Sequence, residues 1–163
     1  MKAKAPNARK VTLRELSPRE MAGMYALIAT HNPGMGKALF TRRLKQMQRQ
    51  GYRAVGAFDG WQMIGVSGFW VGTRFWCGRH LDIDNFFVAE NYRRDGVGAK
   101  LVAWLEATAI AEKCELIGLD VYADSFLAHR FYHRHGFVAT GHHMTKQPGS
   151  AEPFTPPRKR LKP

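Results

Sequence analysis

The chain has 163 residues, 45% of them apolar, and a formal net charge of +12. That length predicts one domain with enough chain to bury a real core. No apolar run approaches the roughly 18 residues of a membrane span, and no secretory signal pattern opens the chain. Cys77 and Cys114 stand in unrelated contexts and read as free thiols of a reducing compartment, so a cytoplasmic protein is expected.

Most of the charge lies at the ends. Lys2, Lys4, Arg9 and Lys10 give residues 1–10 a charge of +4, and Lys146, Arg158, Lys159, Arg160 and Lys162 against Glu152 give another +4, which leaves +4 for the body. Residues 1–10 are expected to be a flexible basic arm and 148–163, rich in proline, a disordered tail, with the folded domain between them at 11–147. Basic tails of this kind either aid solubility or touch nucleic acid.

In chain order, Val11–Leu16 alternates as a first strand. Ser17-Pro18-Arg19-Glu20 is a capping box with proline at the first helical position, and Met21, Met24, Tyr25 and Ile28 form the buried face of the helix that follows. His31-Asn32-Pro33-Gly34 ends it. A second helix is predicted over 36–49, with Phe40, Leu44 and Met47 inward and a row of Arg and Lys outward. Residues 52–58 read as a strand, Asp59-Gly60 as a hairpin turn, and 61–76 as a long strand or strand pair. A strand over Leu81–Val88, a helix to about Lys113, a central strand over 115–122, a helix over 125–135 and a last strand over 137–146 complete the chain.

Residues 93–98, Arg93-Arg94-Asp95-Gly96-Val97-Gly98, stand between a predicted strand and a predicted helix. Glycine lets the backbone approach a ligand closely. The amides at a helix start then point at an anion, and the helix dipole favours it. A pyrophosphate is the natural guest. Further on, Asp124–Phe137 ends in Ala128-x-x-x-Tyr132-x-x-x-Gly136-Phe137.

Together the R-x-x-G-x-G loop and this second helix resemble the GNAT superfamily of acyl-CoA-dependent N-acetyltransferases, specifically over about residues 80–140. The resemblance implies an α/β fold, with a mixed, mostly antiparallel central sheet flanked by about four helices. It implies acetyl-CoA as co-substrate, held by Arg93, Arg94, Asp95, Gly96, Val97, Gly98 and Ala99, with Ala128 and Ser125 on the second helix. Ser125 stands where the family often has an asparagine. It also implies that the strand before the loop bulges and splays, freeing an N–H near Phe87 or Val88 for the thioester carbonyl.

Acetyl transfer to an amine needs a neutral nucleophile, a donor to the carbonyl oxygen and a proton for the departing sulfur. The resemblance implies Tyr132 as proton donor. For the base there are three candidates. Asp82 and Asp84 share one strand face by the two-residue period, and Asp120 interrupts the next apolar strand. Asp82 falls where several family members carry their base, and Asp120 where others do; Asp82 is favoured, because its place before the loop matches the commoner family arrangement. His129 and His133 are one helical turn apart, but nothing completes a metal-ligand spacing, so no metal is expected. Trp70, Phe75, Trp76, Phe86 and Phe87 read as core or as the wall of an acceptor pocket. The reading is an N-acetyltransferase acting on a primary amine of a small molecule, peptide N-terminus or lysine. The alternative is a CoA-binding regulatory or polyanion-binding module without turnover. A two-fold dimer is the prior expectation for its assembly.

Overall fold

The alternation of the first strand is realised as β1 (Val11–Glu15) in a computed structural model that describes residues 10–152. The basic arm over 1–9 and the end of the tail over 153–163 lie outside the described residues. The capping box forms: the Ser17 N–H and Oγ reach Glu20 Oε2 at 2.9 and 2.7 Å. These bonds, the backbone one foremost, hold the Glu20 carboxyl down at about 2. They open a single 3-10 turn, Glu20–Met24, which runs into α1 (Tyr25–His31). After the break at 32–36 comes α2 (Lys37–Arg49). Met21, Met24, Ile28, Phe40 and Leu44 are buried, at the helical spacing that predicted them.

Strands β2 (Arg53–Asp59), β3 (Gln62–Arg74) and β4 (Gly78–Val88) follow as an antiparallel meander. The stretch after the first hairpin is thus one long strand, and β4 starts three residues before the predicted Leu81. Then come α3 (Val97–Ala111), β5 (Leu116–Leu119) and α4 (Phe126–Arg134). The sheet order is β1-β2-β3-β4-β5, with only the β4–β5 pair parallel. This is the mixed, mostly antiparallel sheet with four helices that the resemblance implied.

Period two divides the sheet into two cores. Leu16, Tyr52, Ala54, Phe58 and Val66 pack beneath α1 and α2. Val55, Ala57, Phe69, Leu81 and Ile83 pack with Leu101 and Leu105 of α3 on the other face. No described helix is long and apolar enough to cross a membrane.

Two expectations fail. The strand expected over 115–122 as a central one has only four residues, all half-buried, and it lies at the sheet edge. Its apolar run is too short to fill two faces, and it pairs with β4 alone, from His80–Leu116 to Ile83–Leu119. The strand expected over 137–146 does not form. Phe137 packs into the α3 core, but residues 138–149 are exposed, and the apolar alternation stops at Gly141. A ladder there would bury nothing.

Candidate active site

The site begins where two strands part. Pairing between β4 and β5 ends at Ile83 and Leu119, so from Asp84 to Val88 the backbone of β4 has no strand beside it on that flank among the described residues. On the other flank the register with β3 shifts between Val66 and Gly68. Opposite the shift, Asn85 takes a φ of +51°, a conformation that asparagine tolerates better than most side chains. The splayed, bulged strand that the resemblance implied is therefore present, with the irregularity centred on Asn85, ahead of Phe87 and Val88.

The loop after β4 turns sharply. Arg94 and Gly96 both have left-handed backbone, with φ of +72° and +76°. Holding Arg94 there costs about 1–2 kcal/mol, a strain of the kind that collects at ligand-binding loops. Gly96 is the N-cap of α3, no side chain caps the helix there, and nothing lies within 4 Å of where a Cβ would stand. Gly98 has another task. A Cβ on it would sit 3.1 Å from the ring of Phe131, so it lets α4 approach α3. Arg93, Arg94 and Asp95 are exposed, Ala99 is half-buried and Val97 is buried in the core, so Val97 anchors the helix start from below.

One neighbour of this loop comes from far away in the chain. The Arg93 guanidinium donates from Nη2 to His31 Nε2 at 3.1 Å, and from Nε to the Val88 carbonyl at 3.3 Å. His31 in turn stacks on Phe87 with ring centroids 4.3 Å apart. Nothing local in the sequence marks His31, which closes α1 far from the loop.

Tyr132 stands on α4, one turn after Ala128. Its ring meets Phe86 of β4 edge-on at 5.8 Å and also touches Phe131 and Phe137. Burial pushes its hydroxyl well above the usual phenol value, so it keeps its proton at any physiological pH. Ser125 is the N-cap residue of α4 but makes no side-chain cap bond, which leaves its hydroxyl at the helix mouth. His129 bonds the Tyr122 carbonyl at 3.1 Å and His133 the Phe137 carbonyl at 2.9 Å, so both rings tie down the ends of their own helix.

The three aspartates differ in their surroundings. Asp82 accepts from Arg74 Nη2 at 2.6 Å and lies 3.1 Å from His80 Nε2. Asp120 is exposed and lies 3.0 Å from His143 Nδ1. Asp84 is held by the Asn85 amide, whose Nδ2 also reaches Tyr52 Oη at 3.5 Å. Burial raises the Asp84 carboxyl above the ordinary aspartate value, the charge of nearby Asp120 adds to this, and the Asn85 bonds oppose it. Tyr52 is buried and also raised, first by burial and then by the Asp84 charge. Its hydroxyl lies over Gly68, where a Cβ would stand 1.7 Å away.

Tyr52 and Asn85 form one wall of a partly open cavity of about 190 Å³ between α1, α2 and the sheet, lined by Met24, Ile28, Met35, Phe40, Leu44 and Met47 with Asn32 and Arg43. Of the aromatic set, Trp70 tilts against Tyr52 at 5.0 Å beside this core, whereas Phe75 and Trp76 are exposed at the β3–β4 turn. The parting of β4 from β5 thus has Asp84, Asn85 and Tyr52 on the α1–α2 side. Tyr132 with Phe86 lies on the α3 side, and the uncapped helix start with its arginines lies beyond.

The sequence profile described as the acetyltransferase (GNAT) family matches residues 21–137. No curated protein matches the chain. Among solved structures, it is similar to an aminoglycoside N-acetyltransferase in complex with CoA, with a TM-score of 0.78 and 14% identity over 90% of this chain and 100% of that one. It is similar also to glucosamine-6-phosphate N-acetyltransferase from Arabidopsis thaliana, with a TM-score of 0.67 and 18% identity over 85% and 98%. A transcriptional regulator from Bacillus halodurans C-125 aligns with a TM-score of 0.71 and 23% identity over 84% and 99%. At these identities the likeness is one of fold.

Proposed function

The chain belongs to the acetyltransferase (GNAT) family, and on that premise we propose that it moves the acetyl group of acetyl-CoA onto a primary amine, with Asp84 as base and Tyr132 as proton donor. The observation that carries this reading is the parting of β4 and β5 beside an uncapped helix start, with a carboxyl raised by burial on one side and a protonated phenol on the other.

The residues present fit acetyl-CoA. The open space at Gly96 and the free first-turn amides of α3 suit a pyrophosphate. Arg93 and Arg94 add positive charge, and Ser125 and Ala128 lie along the opposite helix. Bound there, acetyl-CoA supplies an acetyl group already activated as a thioester. The rest falls to the protein. The flank of β4 beyond Ile83 offers backbone donors to the carbonyl oxygen. The Asp84 carboxylate takes the proton of the incoming ammonium, so that its nitrogen lone pair becomes free to attack. The Tyr132 hydroxyl gives its proton to the departing sulfur and is restored by the second proton that the nitrogen sheds as the amide forms. Holding both partners in this gap supplies much of the acceleration.

Asp84 is preferred to Asp82 because Asp82 is already committed to Arg74 and His80. It is preferred to Asp120 because that carboxylate is exposed and lies against His143. The reading is tested by titrating acetyl-CoA and desulfo-CoA in a thermal-shift assay and then measuring thiol release with amines. Stabilisation by both ligands and amine-dependent thiol release are expected. Binding without turnover for every amine would leave a CoA-holding regulator.

A further inference from the structure

The cavity at Tyr52 and Asn85 is small and mostly apolar, and Asn85 in its lining bonds Asp84 just outside it. A cavity of roughly 150 Å³ lined by aliphatic and aromatic side chains takes a benzene ring. At about 190 Å³, this one has room for a ring and a short arm. Methionine is the most adaptable apolar side chain, and Met24, Met35 and Met47 all face the cavity. The shape it accepts is therefore tolerant while its polarity is not.

The charge around it is one-sided. Helix α2, which forms one wall, carries five cations and no acidic residue, with Lys37, Arg42, Lys45 and Arg49 on its outer face, away from the cavity. Arg43 itself stands at the cavity. A polycationic acceptor would bring further ammonium groups against Arg43, and the cavity lining offers them no carboxylate. A single ammonium aimed at Asp84 meets a negative charge instead.

We propose that the acceptor is a monoamine on an apolar body of about ring size, seated between α2 and the sheet with its nitrogen toward Asn85 and Asp84. This rests on the acetyl-transfer reading above. Burial of the apolar body strips water from the ammonium and favours its neutral form. One ammonium proton passes to the Asp84 carboxylate, and the amine nitrogen forms the new bond to the acetyl carbon. The carbon–sulfur bond breaks with the Tyr132 proton going to sulfur, and the second proton leaves the nitrogen and restores the Tyr132 hydroxyl through solvent.

The test uses the full chain with acetyl-CoA and three probes: phenethylamine, the polycation kanamycin, and the anionic sugar amine glucosamine 6-phosphate. Phenethylamine should show a kcat/KM about tenfold or more above the other two, the scale of discrimination an apolar pocket supplies. Calorimetry should show it binding the desulfo-CoA complex. Leu44→Trp, which fills the cavity, should raise its KM by a similar factor and leave the acetyl-CoA thermal shift unchanged. Met47→Phe, at a half-buried position, serves if Leu44→Trp does not fold. A preference for either polar amine, failure of phenethylamine to bind, or an unmoved KM in the filled variant would overturn the proposal. Loss of acetyl-CoA binding in the wild-type chain would instead overturn the acetyl-transfer reading beneath it.

Discussion

Arg93 and His31 meet at 3.1 Å although 62 residues of chain separate them. A guanidinium has only donors to give, so His31 Nε2 must accept. Its Nδ1, 3.1 Å from the Leu27 carbonyl, then carries the hydrogen. The neutral ring, stacked on Phe87, ties the end of α1 to the anion loop. The half of the molecule that borders the cavity is thereby fastened to the half proposed to hold acetyl-CoA.

Removing that tie should loosen Arg93 before any ligand arrives. His31→Ala is expected to weaken acetyl-CoA binding by about 2- to 10-fold, the worth of one hydrogen bond. His31→Phe keeps a ring on Phe87 but has no nitrogen. An equal loss in both variants assigns the effect to the bond. A loss in the alanine variant alone assigns it to the stack. Isothermal titration of acetyl-CoA makes the measurement.

The two glycines of the loop should fail differently. Gly96→Ala meets open space, so its cost is backbone strain, about 1–2 kcal/mol, with acetyl-CoA affinity falling as the turn relaxes. Gly98→Ala presses on Phe131 instead. It should disturb Tyr132 beside it, so that turnover falls more than affinity. Melting curves, acetyl-CoA titrations and rates on both variants separate the two roles.

What the sequence disclosed follows from range. The capping box at Ser17–Glu20, the buried faces of α1 and α2 and the glycine turn before α3 depend on residues within one or two turns, and their spacing showed them. The position of β5 was not legible, because an apolar run of four residues does not say whether one strand or two will flank it. The choice among the aspartates was equally hidden. Asp82 and Asp84 alternate alike in sequence, and only the fold of the β3–β4 hairpin brings Arg74 onto the first. His31 is the extreme case, since its partner lies on the far side of the sheet in sequence.

Tyr132→Phe deletes one hydroxyl and keeps the ring among Phe86, Phe131 and Phe137. Acetyl-CoA binding should persist, since those contacts are to the ring. Turnover should fall by roughly 10²-fold if the phenol protonates the departing sulfur. A rate within twofold of wild type would remove Tyr132 from the chemistry and leave it a packing residue. Steady-state thiol release with saturating acetyl-CoA decides it.

The sharpest prediction concerns Asp84, because stability and activity should move in opposite directions. Its folded-state carboxyl is raised by burial and by Asp120, whereas an unfolded aspartate titrates near 3.8. Between those two values the folded chain holds a proton that the unfolded chain has released, so stability falls as pH rises through the window. Above the window the cost of the buried charge is fully present. Asp84→Asn removes it, so the variant should melt higher than wild type at neutral pH and alike at pH 3. Turnover needs the carboxylate. The wild-type rate should therefore fall as pH drops through the raised value, while Asp84→Asn should be slow and lack that acid limb. Asp120→Asn takes away a repelling charge and should shift the limb to lower pH. Asp82→Asn breaks a partly exposed ion pair worth about 1 kcal/mol or less and should leave the limb in place. A limb that survives in Asp84→Asn and moves in Asp82→Asn would transfer the role of base to Asp82.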